Sequence, residues 1–232
     1  MILAAGRGER MRPLSDAMPK PLLDVGGKPL IVWQLERLVA AGCTQIVVNL
    51  AHCGEMIASA LGNGSRFGAT VRYSREPEPL EVAGGIATAL PLLGDDIVLV
   101  VSGDVYTDYD YAALVARAAA MRATAAPPHA HLVMVPNPAY HAQGDFALLD
   151  GRLALDGLPR LTFGNVALYR SGLFRELPRG EKLAMLPLYR DWIARGWVSG
   201  EAYAGTWANV GTPEELARLD RLLRGASSPR PH

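Results

Sequence analysis

Two rhythms of apolar and polar positions alternate through the first half of the chain. Short runs that are apolar or β-rich throughout, MILAA at 1–5, QIVVNL at 45–50, ATVRYS at 69–74 and DIVLVVSGD at 96–104, predict strands. Between the first two, PLIVWQLERLVAAG sets Ile31, Leu35, Leu38 and Val39 at helical spacing and ends at Gly42, a C-cap residue. GEMIASALG and GGIATALPLLG are shorter helical patterns, and residues 108–123 form a longer one whose Met and Leu positions face a core. Strands apolar on both faces, separated by helices, predict an α/β fold with a mostly parallel mixed sheet flanked by helices.

The second half changes character. HLVMVP at 131–136 is a further strand, FALLDGRLAL at 146–155 a hairpin turning at Asp150-Gly151, and RLTFGNVALYR at 160–170 a strand with a Gly-Asn break. EKLAMLPLYRDWIARG predicts a helix across Pro187, and SGEAYAGTWANVG is strand-like. The last helix, PEELARLDRLLRG, has Thr212 as N-cap, Pro213 at its first position and Glu214 and Glu215 in its first turn. With no repeat and no linker, residues 1–224 are expected to form one domain and 225–232 a disordered tail.

Charge and composition narrow the function classes. Lys+Arg and Asp+Glu both number 23, so no global field attracts nucleic acid or an acidic membrane, and any anion chemistry is local. Cys43 and Cys53 are too few for a disulfide framework or a four-cysteine zinc site, which suits reduced thiols and a cytoplasmic location. The start lacks a basic lead and a signal-length apolar run, and no stretch reaches the ~18 apolar residues that span a membrane. Only five residues precede Gly6, a short first strand, which leaves open whether residues precede Met1 in the native protein. His52, His129, His131 and His141 show no ligand spacing with the cysteines and are given no chemistry. Lysine is rare, at positions 20, 28 and 182 only, so each one stands out against an arginine background. Oligomeric state is not written in the sequence.

The chemistry concentrates in LAAGRGERMRP at 3–13. A dinucleotide fingerprint fails at Met11, where a third small residue belongs, and at Pro13; a Walker-type loop is missing from the chain. Besides a plain solvated turn, there remains a glycine loop at the carboxyl end of the first strand, where open α/β sheets place ligands. Gly6 and Gly8 let backbone amides approach phosphate oxygens, and Arg10 adds a planar donor fork. Pro19 and Pro21 fix Lys20 on a stiff segment. Asp104 ends an apolar strand after Gly103, a place for a cation ligand as well as for a simple turn former.

LAAGRGERMRPLSDAMPKPLLDVGGKPLI resembles the opening signature of the sugar-phosphate nucleotidyltransferases, which join a nucleoside triphosphate to a sugar 1-phosphate and release pyrophosphate. VSGDV at 101–105 is similar to their metal-binding strand end, LTFGNVALY to their sugar-side strand, and WANVGTPEEL to their second metal segment. The resemblance implies a single Rossmann-like nucleotidyltransferase domain working with Mg2+. NLAHCGEMI, GNGSRFGATVRYS, EPLEVAGGI, the AQGDFAL run and the short length most resemble the branch that uses UTP and N-acetylmuramic acid 1-phosphate in peptidoglycan recycling.

Roles follow from that resemblance. Ala4, Ala5, Gly6, Gly8 and Arg10 hold the triphosphate, Arg10 on the departing pyrophosphate, and Lys20 meets the α-phosphate or the attacking phosphate. Asp104 and Asn209 are the metal ligands, although the family has Asp where this chain has Asn209, which implies weaker metal affinity. Glu81 accepts from the uracil imide, and Gly84 and Gly85 leave room for a planar ring. Gly144, Asp145, Asn165, Glu181 and Lys182 lie on the sugar side, Lys182 facing the sugar phosphate or a lactyl carboxylate. The same opening motif also suits a mannose 1-phosphate guanylyltransferase or a glucose 1-phosphate thymidylyl- or uridylyltransferase. Asn209 admits a nucleotide-sugar-binding regulatory protein.

Overall fold

The structure, a computed structural model, describes residues 1–227. In chain order the strands are β1 (Ile2–Leu3), β2 (Asp24–Val25), β3 (Lys28–Pro29), β4 (Gln45–Leu50), β5 (Thr70–Arg75), β6 (Ile97–Ser102), β7 (Val105–Thr107), β8 (Ala130–Val135), β9 (Phe146–Leu149), β10 (Arg152–Ala154), β11 (Arg160–Arg170), β12 (Val198–Ala202) and β13 (Trp207–Asn209). The helices are α1 (Leu14–Ala17), α2 (Leu30–Ala40), α3 (Gly54–Leu61), α4 (Glu81–Leu93), α5 (Tyr111–Arg122), α6 (Met185–Ala194) and α7 (Pro213–Ser227).

Local chemistry sets many of these boundaries. Gly42, at φ 86°, closes α2 in a Schellman turn, with Cys43 N–H on the Leu38 carbonyl and Gly42 N–H on that of Val39. Asp110 caps α5 by accepting from Ala112 N–H at 2.9 Å. Pro187 is the third residue of α6, where no intrahelical N–H bond is lost. The hairpin turns where the sequence places it, Asp150 at φ 48° and Gly151 at φ 76°. Thr212 and Glu215 form a capping box at the head of α7: Thr212 Oγ1 accepts from Glu215 N–H, and Glu215 Oε2 accepts from Thr212 N–H. That helix runs to Ser227, past the expected start of the tail at 225; residues 228–232 lie outside the described residues.

Nine strands form one mixed sheet in the order β5-β4-β1-β6-β11-β8-β12-β10-β9. The first four are parallel, as expected, but β11 runs antiparallel to both β6 and β8, so the second half is not mostly parallel. Within that half only β9 and β10 are joined by a tight turn and pair antiparallel through it, while β12 runs parallel to β8. The strand-like run at 199–211 is also two elements. β12 completes the large sheet, while β13 pairs with β7, setting Asn209 opposite Val105.

Alternate residues of the apolar strands feed two cores. Ile46, Val48 and Val101 pack with α2, α3 and α5 on one face; Val47, Val98 and Val100 pack with α4 and α6 on the other. A smaller cluster under α7 contains Met11, Leu30, Val210 and Leu219. Met11, the residue that breaks the dinucleotide pattern, is fully buried there and ties down the far end of the glycine loop.

Within β8, His131 is fully buried, its Nδ1 2.8 Å from Ser199 Oγ and its Nε2 3.7 Å from Glu201 Oε2. Glu201 also accepts from the Tyr109 hydroxyl and pairs with Arg117. His131, together with Tyr109 and Arg117, holds the Glu201 carboxyl down at about 2. A carboxylate with a depressed folded pKa contributes stability above its unfolded pKa and loses it as pH falls toward the folded value. Unfolding free energy is therefore expected to fall between about pH 4.5 and 2, and Glu201→Gln to flatten that part of the curve in urea titrations run across pH.

Candidate active site

The chain leaves β1 as a loop at the carboxyl end of the parallel strands, and both ends of that loop are pinned. At its start, Ala4 N–H donates to Asn49 Oδ1 at 2.8 Å. At its end, the Gly8 carbonyl accepts from Met11 N–H and from Ser15 Oγ, each at 2.8 Å. Gly8 has φ 65°, and a Cβ there would sit 3.1 Å from Lys20 Cβ, so the glycine makes room for the lysine stem. Gly6 is exposed with open space beside it, which leaves the backbone free to receive a ligand.

Lys20 begins a short turn over Lys20–Leu22 and is 7 % exposed. Its Nζ donates to Asp104 Oδ2 at 2.6 Å, across the ends of the sheet. Gly103 places that carboxylate: its N–H bonds the Leu3 carbonyl at 2.8 Å, drawing the end of β6 against the end of β1.

A cleft of about 760 Å³ opens over these residues. Ala4, Gly6, Gly8, Arg10, Lys20 and Asp104 line one side of it; Glu78, Pro79, Glu81 and Lys182 come from the segments facing them. Glu81, the first residue of α4, has φ 61°, a conformation worth about 1 kcal/mol or more of strain in a residue with a side chain. Lys182 Nζ lies 3.7 Å from its carboxylate.

A second cavity of about 400 Å³ shares Arg10 with the first and is lined by Asp145, Asn165, Asn209, Tyr140 and Trp207 among others. Asp145 is largely committed to protein: one oxygen accepts from Phe163 N–H at 2.7 Å and the other lies 3.0 Å from His141 Nε2. Asn165, at φ 57°, sits at the register shift of β11, whose Gly164 carbonyl accepts from Trp207 Nε1. Burial pushes the Tyr140 hydroxyl up, and a hydrogen bond from Asn209 opposes the shift. Asn209 thus meets the Asp104 strand through the backbone ladder, and its side chain lines the second cavity instead of the Asp104 cleft.

Five expected residues line neither cavity. Ala5 is a buried residue of the loop itself, and Glu181 is exposed outside both. Gly144, at φ 61°, is buried where a Cβ would come within 3.0 Å of the Arg160 carbonyl, so it serves chain packing. Gly84 leaves no space for a ring either, because a Cβ there would overlap the Glu181 carbonyl, and Ala83 and Gly84 N–H both bond the Leu183 carbonyl. Beside Gly85, a Cβ would lie 2.9 Å from both Asn49 Nδ2 and Glu76 Oε1.

That last pair was not foreseen. Asn49 Nδ2 donates to Glu76 Oε1 at 2.7 Å, and Leu80 N–H donates to Glu76 Oε2 at 3.0 Å. Both side chains are buried; burial pushes the Glu76 carboxyl up while the Asn49 and Leu80 bonds pull it down. The available signal was one polar residue inside the apolar run QIVVNL. Tyr140 had none, and Trp207 opens the segment WANVGTPEEL without any mark that its ring faces a cavity.

Gly84→Ala and Gly85→Ala are expected to lower unfolding free energy by about 1–3 kcal/mol in urea titrations, the clash outweighing any gain in helix propensity. Unchanged stability with weakened nucleotide binding would instead return both glycines to a base pocket.

Residues 1–138 match the family described as Nucleotidyl transferase. The chain is 50% identical over 228 residues to N-acetylmuramate alpha-1-phosphate uridylyltransferase of Neisseria meningitidis serogroup B, covering 96% of each chain. It is 34% identical over 236 residues to the protein of the same name from Caulobacter vibrioides, again with 96% coverage of each. A Bacillus anthracis protein assigned as a glucose-1-phosphate thymidylyltransferase, crystallised with sucrose, superposes with a TM-score of 0.85 at 21% identity over 99% of this chain and 96% of that one, a likeness of fold.

Proposed function

The chain belongs to the nucleotidyl transferase family, and we propose that it joins UTP to N-acetylmuramic acid 1-phosphate, giving UDP-N-acetylmuramic acid and pyrophosphate. The observation that carries this reading is the buried Lys20, held 2.6 Å from Asp104 under a glycine loop open to a ligand. The similarity to the two uridylyltransferases directs the choice of base and sugar.

In the reaction an oxygen of the sugar phosphate attacks the α-phosphorus of UTP. The bond from that phosphorus to the bridging oxygen of the β-phosphate breaks, and its electron pair leaves with pyrophosphate. The nucleophile is already an anion, so no general base is required; the protein aligns two polyanions and offsets their charge. Loop amides and Arg10 take the β- and γ-phosphates. Lys20 sits where the α-phosphate and the incoming phosphate meet.

The residues present fit Mg2+. The cleft is lined by four cationic side chains, Arg7, Arg10, Lys20 and Lys182, and four anionic ones, Glu9, Glu78, Glu81 and Asp104, so it brings no surplus positive charge to a triphosphate. Mg2+ is commonly held by one or two carboxylates with substrate phosphates, and Asp104 would be that carboxylate. Bound there, the ion supplies the charge neutralisation that the side chains do not. Asn209 is better placed to meet the sugar, in the cavity it shares with Tyr140 and Asn165.

Glu81, on the far wall, accepts from the uracil imide N–H. Lys182 stands beside it at the rim, within reach of the sugar phosphate or a lactyl carboxylate. We place the reaction in the cytoplasm, in the recycling of peptidoglycan sugars; among the described residues no helix is long and apolar enough to cross a membrane. Asn209 also favours a second reading, a protein that binds nucleotide sugars without turning them over.

Pyrophosphate release with Mg2+ is expected to be at least about tenfold faster for UTP with N-acetylmuramic acid 1-phosphate than for GTP or dTTP, or for the 1-phosphates of mannose, glucose or N-acetylglucosamine. Lys20→Ala is expected to lower kcat/KM by about 10²–10³. A preference for GTP and mannose 1-phosphate would make this a guanylyltransferase. Binding of the UDP-sugar with no release from any pair would leave only the second reading.

A further inference from the structure

Ala4 lines the cleft and the buried Leu80 lies between Pro79 and Glu81, which also line it; the two are 76 residues apart in the chain, yet one buried chain of hydrogen bonds connects their backbones. Ala4 N–H donates to Asn49 Oδ1, Asn49 Nδ2 donates to Glu76 Oε1, and Leu80 N–H donates to Glu76 Oε2, at 2.8, 2.7 and 3.0 Å. Asn49 is 3 % exposed and Glu76 6 % exposed. The Ala4 end begins the glycine loop, and the Leu80 end immediately precedes Glu81, the strained residue facing the base. Gly85 is open on this side only as far as the pair allows.

We propose that Asn49 and Glu76 are positioning residues that hold the phosphate loop and the base-reading segment in register, so that the triphosphate and the base of one nucleotide are met together. The proposal rests on reading the cleft as a UTP site. Neither residue lines that cleft, so they act through Ala4 and Leu80. Geometry makes the chain directional: one end of the amide accepts, the other donates, and a carboxylate with two acceptors completes it. A misplacement of either wall weakens nucleotide binding without touching the sugar cavity, which β11, β13 and the segment around Tyr140 build.

Directionality supplies the test. Asn49→Asp sets two carboxylates against each other, and Glu76→Gln turns an amide N–H toward a donor; each breaks one link with little change of shape. The double variant, Asn49→Asp with Glu76→Gln, reverses the polarity. The carboxylate introduced at position 49 then accepts from Ala4 N–H and from the amide introduced at position 76. That amide accepts in turn from Leu80 N–H, and the net charge is that of the wild type. We would measure UTP affinity by calorimetry, KM for each substrate by pyrophosphate release, and melting temperature, on the full chain. Each single variant is expected to weaken UTP binding about tenfold or more with KM for the sugar phosphate unchanged, and the double variant to return within about threefold of wild type. Single variants that bind UTP normally, a double variant no better than either, or losses shared equally by both substrates and tracking the melting temperature would overturn the pairing. A wild-type chain that neither binds nor turns over UTP would overturn the reading of the cleft, and the positioning role with it.

Discussion

A lysine that is 7 % exposed must have a partner, because an unpaired buried ammonium costs several kcal/mol, and here the partner is Asp104. Much of the site's form follows from letting those two groups meet. Pro19 and Pro21 restrict the backbone that carries the lysine, and Gly8 gives up its side chain so that the lysine stem passes beneath the loop. Gly103 draws the end of β6 against Leu3, which brings Asp104 to the mouth of β1. The pair is also asymmetric in exposure, with the carboxylate side chain 33% accessible and the lysine side chain 9%. A ligand therefore reaches the anion first, consistent with a cation arriving at Asp104 as phosphate arrives at Lys20.

The grouping of the loop residues was legible in the sequence because the expected phosphate chemistry restricts it tightly. Backbone amides must approach phosphate, so glycine is required; a cation must be preorganised, so prolines flank a rare lysine; a carboxylate must end a buried strand. Ala4, Gly6, Gly8, Arg10, Lys20 and Asp104 accordingly come together in one cleft. The same rule misled at Gly84 and Gly85. A glycine reports that something lies close to its Cα, and in both places that something is the protein itself, the Glu181 carbonyl and the Asn49–Glu76 pair. Asn49 and Glu76 escaped notice because each is meaningful only through a partner far away in the chain.

The fold was legible to the same degree and for similar reasons. Apolar runs with helices between them predict the parallel half, where β4 is found as read, at Gln45–Leu50. The antiparallel half was harder, since strand direction depends on which neighbours a strand finds. A continuous strand-like stretch such as 199–211 carries no mark of the bend that sends β13 to β7 while β12 stays with β8. That bend shapes the second cavity, for it delivers Trp207 and Asn209 beside Arg10.

The two halves of the sheet thus carry different constraints. On the proposed reading the parallel half meets phosphates, whose charge and geometry are the same in every nucleoside triphosphate, with loop amides and fixed charge. On the same reading the antiparallel half, with its register shift at Asn165 and its aromatic wall of Tyr140 and Trp207, has only to match the shape and hydroxyls of one sugar, which many side-chain sets accomplish. Arg10 lines both cavities and is the point where they join. On the proposed reading, an opening motif shared among enzymes of different sugar preference is what this architecture produces: the phosphate chemistry is fixed at the strand ends, and sugar specificity is free to vary on the far side of one arginine.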